Sequence, residues 1–174
     1  MRRLLPCLVA LSAAAPANAT TALRIDLDDL VRQSDAVVIG VAETRDSYWE
    51  GSRIVTRVTV RVDDVWSGTT RGAQRIDVIT LGGVVGSIGQ RVSGSVSLPV
   101  GRRVVLCLVH DGAGAHRVVG MAQGVTFVID DGSADPRVQR APMRMRLVGP
   151  MLVEPFPATL SELERTVREI AGER

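Results

Sequence analysis

Within Ile54 to Asp63, Ile54, Val58, Val60 and Val62 fall on one parity and Arg57, Thr59, Arg61 and Asp63 on the other. Successive side chains of a strand point to opposite faces, so this period of two predicts a half-buried strand with one face committed to a core. The phase breaks at Asp63-Asp64, after which Val65 and Trp66 are apolar in succession before Ser67-Gly68. A bulge that bends the strand is expected there.

The neighbouring segments supply partners for it. Ala36-Val37-Val38-Ile39-Gly40-Val41 is apolar and β-branched, with Gly40 as a bulge or sharp bend, and it reads as the first strand. A polar connection containing Tyr48, Trp49 and Gly51 follows it. Ile76 to Leu81 reads as the next strand, and a stretch punctuated by Gly82, Gly83, Gly86, Gly89 and Gly94 follows, in which Gln90 to Leu98 is expected to pair. Val104 to Val109 is continuously apolar, as in a strand covered on both faces. Asp111-Gly112 turns the chain into Arg117 to Met121, and Val125 to Ile129 completes the β region. About seven short strands imply a small barrel or sandwich.

Two helices flank these strands. Leu27, Leu30 and Val31 lie on one helical face within Asp26 to Ser34, with acids at Asp26, Asp28 and Asp29 suited to its N-terminus. Leu160, Leu163, Val167 and Ile170 define an amphipathic C-terminal helix, with Ser161 and Glu164 as its capping box. Between, from Ser133 to Pro157, prolines at 136, 142, 150, 155 and 157 predict an irregular segment laid on the surface.

Residues 1–19 have the layout of a secretory signal: Arg2-Arg3, an apolar stretch from Leu4 to Ala15, and the small-residue site Ala17-Asn18-Ala19. The apolar stretch is well short of the roughly 20 residues that cross a bilayer, so cleavage before Thr20 is expected, with no integral membrane segment left behind. All 21 cations are Arg, and without Arg2 and Arg3 the remaining 19 balance 19 acids. That balance argues against a nucleic-acid partner, whose binding needs many uncompensated cations. Cleavage also removes Cys7 and leaves Cys107 alone, so stability in an oxidising compartment rests on the core and not on disulfides. The expected division is therefore 1–19 signal peptide, 20–132 β-barrel domain, 133–157 proline-containing segment and 158–174 helix.

The order of these elements carries a resemblance. Ser34-Asp35-Ala36-Val37-Val38-Ile39-Gly40-Val41 is followed by Val58-Thr59-Val60-Arg61-Val62-Asp63-Asp64-Val65-Trp66-Ser67-Gly68 and then by Val100-Gly101-Arg102-Arg103-Val104-Val105-Leu106-Cys107-Leu108. Over roughly residues 27 to 109 this resembles bacterial secreted domains of the OB-like netrin and tissue-inhibitor-of-metalloproteinases group. The resemblance implies a mainly β, small OB-like barrel of about six to eight strands, with a short N-terminal helix and a C-terminal amphipathic helix. It carries no functional residue across. Inhibitors of that group chelate the protease zinc through an N-terminal cysteine, where this chain has Thr20, and their disulfide cysteines are missing here.

Candidate chemistry is sparse. Tyr48 and Trp49 stand together in a chain with only two Trp, one Tyr and two Phe, and aromatic pairs of this kind anchor interfaces. With the glycine-rich loop at Gly83, Gly86 and Gly89 they make the expected binding surface of an exported, non-enzymatic module. Its partner would be a protein or cell-envelope component in the periplasm or outside the cell, and no cofactor is expected. A second reading takes Cys107, His110 and Met121 as a copper or redox site, since Cys, His and Met are the ligands of blue-copper centres. Strand alternation speaks against it by sending Cys107 and His110 to opposite faces. A third reading is a small secreted hydrolase using an acidic pair, which needs no sequence motif. The glycines from 82 to 94 fit neither phosphate-loop fingerprint, and Asp130-Asp131-Gly132-Ser133-Ala134-Asp135 lacks the ligand spacing of an EF-hand.

Overall fold

A computed structural model describes residues 21–70, 72–143, 145–149 and 155–173. The expected signal peptide lies outside the described residues. In chain order the elements are β1 (Thr21–Leu23), α1 (Leu27–Arg32), β2 (Ala36–Glu50), β3 (Arg53–Gly68), β4 (Arg75–Leu81), β5 (Gly83–Val85) and β6 (Ile88–Gln90). They continue with β7 (Arg103–His110), β8 (His116–Val118), a 3-10 turn at Met121–Gly124, β9 (Val125–Ile129), β10 (Arg137–Arg140), β11 (Arg146–Val148) and α2 (Leu160–Gly172).

Seven strands form one sheet in the order β10-β9-β7-β2-β3-β4-β8, and β8 also pairs with β7. The hydrogen-bonded neighbours therefore run from β2 through β3, β4 and β8 to β7 and back to β2. All these pairings are antiparallel except β4 with β8. The fold is mainly β, as the alternation predicts.

Inside this circuit lie Ala36, Val38 and Ala42 of β2, Val58 and Val60 of β3, Ile76 and Val78 of β4, and Val104, Leu106 and Leu108 of β7. On the opposite side, Val37, Ile39, Val105 and Cys107 pack with Leu30 and Val31 of α1 and Leu163 and Val167 of α2. β7 is apolar at every central position because it is covered on both faces, as its sequence predicts.

The phase break in β3 is structural. Against β2 the register slips between Ile39 and Gly40, which leaves Asp63 unpaired in that ladder, and again between Val37 and Val38, which leaves Trp66 unpaired. Each slip turns the following side chains over. Val65 consequently packs toward the inner cluster, while Trp66 is buried beside the helices. Gly40 sits at one slip with β3 on one flank and β7 on the other. A Cβ there would press into the Arg61 carbonyl oxygen and lie 2.9 Å from Val60 Cγ1, so the close approach requires glycine.

Several expectations are corrected. Tyr48 and Trp49 belong to β2, paired with Val55 and Ile54, and not to a loop. The strand runs past its apolar part because the alternating β3 supplies backbone partners up to Arg53, and the turn is reduced to Gly51-Ser52. Of Gln90 to Leu98 only Gln90 is in a strand; the remainder crosses the sheet irregularly, with Val96 and Leu98 buried and Gly94 at φ +78°. Strand structure also continues beyond residue 132, since β10 extends the sheet beside β9 and β11 pairs in parallel with β1. Pro136 and Pro142 lie just outside β10, so they punctuate that strand and do not prevent it. The prolines at 150 and beyond fall partly outside the described residues.

Asp26 caps α1 by accepting the Asp29 N–H at 2.8 Å. The cap of α2 is Thr159, two residues before the expected Ser161, and Glu162 reaches back to the Ala158 N–H at 3.0 Å. Ser161 instead donates its amide to Asp135 at 2.9 Å, tying the helix start to the segment before β10. The approach to α2 covers the outer edge of β10: Val138 N–H donates to Ala158 and Leu160 N–H to Pro136. Among the described residues no helix is long and apolar enough to cross a membrane.

Candidate functional site

The distal end of the β2–β3 hairpin carries the predicted binding residues. β4 follows β3 only as far as Leu81 opposite Val55, and Gly82 then donates to the Ile54 carbonyl at 2.8 Å. There the chain turns into the β5–β6 hairpin, whose two-residue tip Gly86-Ser87 joins Val85 to Ile88, with Gly86 at φ +59°.

This small hairpin is fastened onto the larger one. Ser47 and Thr56 share a hydroxyl hydrogen bond of 2.8 Å, Thr56 Oγ1 donates to the Gly82 carbonyl at 2.6 Å, and the Ile54 N–H donates to Gln90 Oε1 at 2.6 Å. Gly83 lies directly over the Ser47–Thr56 pair at φ +148°, where a Cβ would come to 2.5 Å from Thr56 Oγ1. The residue is glycine because the two hairpins meet backbone to side chain at this point.

Trp49 stands two residues from Ser47 and therefore shares the face on which the β5–β6 hairpin rests. It is 46% exposed, and Val84 and Ile88 of the small hairpin are 65% and 53% exposed. The structure thus brings Trp49 to the same hairpin end as Gly83, Gly86 and Gly89. It separates Tyr48, which faces the other way with the Arg57 guanidinium 5.2 Å above its ring. The aromatic pair is not one patch, because neighbours on a strand point apart. Val84, Ile88 and Gln90 were not singled out from the sequence. The signal for them was present in the near-symmetric Val84-Val85-Gly86-Ser87-Ile88-Gly89, which reads as a hairpin once Gly86-Ser87 is taken as its turn.

The copper set is not assembled. Cys107 is buried in the helix-facing layer, whereas His110 continues the parity of Leu106 and Leu108 on the other face and pairs across to His116. Met121 follows β8 in the 3-10 turn at φ +59°. Among the described residues no group of three or more His, Cys, Asp or Glu converges in a way that would hold a metal ion. Burial pushes the Cys107 thiol up to about 11 against the opposing pull of Ser34 and Arg140, so little thiolate forms at neutral pH. Thiol reagents are expected to label Cys107 only as fast as the protein opens; rapid labelling of the native state would place it at the surface.

The acidic turn satisfies itself. Asp130 accepts from Gly132, and Asp131 accepts from Ser133 and Arg137, which together hold the Asp131 carboxyl below its ordinary range. Asp35 accepts the main-chain N–H of His110 at 2.8 Å and does not orient its ring. No family model matches the chain, and neither a curated protein nor a solved structure matches it significantly.

Proposed function

We propose that the chain is an exported, non-enzymatic module that binds a protein or envelope component through the joined ends of the β2–β3 and β5–β6 hairpins. The observation that carries this reading is that Trp49, Val84 and Ile88 are all exposed at one hairpin end held together by hydrogen bonds, with Val84 and Ile88 on opposite faces of the small hairpin. Solvent-exposed large apolar residues held on a fixed scaffold are what an interface anchor requires. The circuit of pairings through β2, β3, β4, β8 and β7 supports reading the body as a small OB-like barrel, in keeping with the netrin-like resemblance. In this reading residues 1–19 direct export and are removed before Thr20, which N-terminal mass spectrometry of the secreted form tests directly.

Cross-linked capture from the native envelope and culture fluid tests the binding surface. Trp49→Ala is expected to reduce capture by about tenfold or more while shifting the melting temperature by less than about 3 °C. Unchanged capture would remove this face from the interface, and a large fall in melting temperature would assign Trp49 to packing instead.

A further inference from the structure

β8 closes the circuit on very little pairing: it meets β4 at two positions, Val78 with His116 and Ile79 with Arg117, and β7 at three, ending with His110 opposite His116. His116 belongs to both ladders. It is 5% exposed, and neither Nδ1 nor Nε2 has a hydrogen-bond partner. The His110 ring lies 4.5 Å away, centroid to centroid, inclined by 46°.

The surroundings favour the neutral ring. Burial first, and then the His110 neighbour, hold the His116 imidazole below its ordinary 6.5. The backbone of Asp77 on β4, Asp111 in the turn after β7 and Asp35 just before β2 pull the other way without offsetting them. Both carboxylates are engaged elsewhere, and from Asp77 only the main chain acts on the ring. Asp111 takes the amides of Ala113 and Ala115, and Asp35 takes the amide of His110. A proton on His116 therefore arrives on a buried ring facing a second imidazole, with no acid in hydrogen-bond contact.

We propose that His110 and His116 form an acid-sensitive latch, which keeps β8 seated between β4 and β7 while the His116 ring is neutral and releases it when that ring is protonated. The sign follows from linkage. The released ring binds its proton with ordinary affinity and the seated ring binds it more weakly, so acid favours release. Seating is complete above the ordinary imidazole value of 6.5 and weakens as pH falls below it, by up to about tenfold per pH unit for one proton. Release uncovers the β4 edge at Val78-Ile79 and the last positions of β7, an edge able to accept another strand.

Amide exchange and NMR titration of the intact protein between pH 8 and 4.5 test the latch. The expected result is a His116 ring that titrates below free imidazole, with protection at residues 116–118 and 78–79 lost in the same range while residues 58–60 stay protected. His116→Phe, which fills similar space without a titrating group, is expected to abolish that local loss, and His110→Gln to weaken it. A His116 ring titrating at or above the free value overturns the proposal, and this is read on the unmodified protein even if a variant fails to fold. Acid loosening of β8 that persists in His116→Phe overturns it equally.

Discussion

Gly40→Val is expected to cost about 4 kcal/mol and to lower the melting temperature by roughly 8–16 °C. The branched side chain enters a site already occupied by the Arg61 carbonyl oxygen and the Val60 side chain. Relief would require β2 to move away from β3, yet its other flank is hydrogen-bonded to β7 through Val104 and Arg103. Two ladders therefore oppose the movement, and the register slip that depends on the close approach cannot form as it does. Urea denaturation measures the cost. A loss below about 1 kcal/mol would mean that the slip is soft and that the strand tolerates a regular register there.

Leu106→Ala is expected to destabilise by about 3–4 kcal/mol, from lost transfer energy and the cavity left behind. Leu106 is fully buried at the centre of the inner cluster, on the strand that also carries Val105 and Cys107 toward the helices. Because β7 is bonded to β2, β8 and β9, its backbone has little freedom to collapse into the space. Leu106→Met keeps nearly the same volume and is expected to cost less than about 1.5 kcal/mol. Equal losses for the two variants, measured by the same denaturation, would show that volume is not what matters at this position.

Local pattern made much of this architecture readable. The alternation of Ile54 to Val62 located β3, its phase break located a true slip, and the unbroken apolar run at Val104 to Val109 correctly implied cover on both faces. Polar strand sections were harder to read. Residues 44–50 of β2 have little apolar periodicity because their hairpin end extends beyond the main packing, and only their pairing with β3 makes them a strand. β10 and β11 were hidden among prolines for a related reason, since each is short and defined by its partner. The candidate site was half legible. Composition picked out Trp49 and the glycines, but only three-dimensional pairing turns Tyr48 away and leaves Val84 and Ile88 exposed on the two faces of the small hairpin.

The pairing of residues 36–41 with residues 103–108 also bears on the order in which the molecule assembles. β2 and β3 can zip together from the Gly51-Ser52 turn with little loop to close, so this hairpin is available early. The buried half of β2 must then wait for β7, which arrives only after β4 and the glycine-rich segment have passed. α2 has no complete surface to dock on until β7 contributes Val105 and Cys107. Such non-local closure places folding in the slow range of small β proteins, on the order of milliseconds to seconds. A chain made amino-terminus first would hold the apolar inner face of β2 open throughout that interval, a natural point for a chaperone to act.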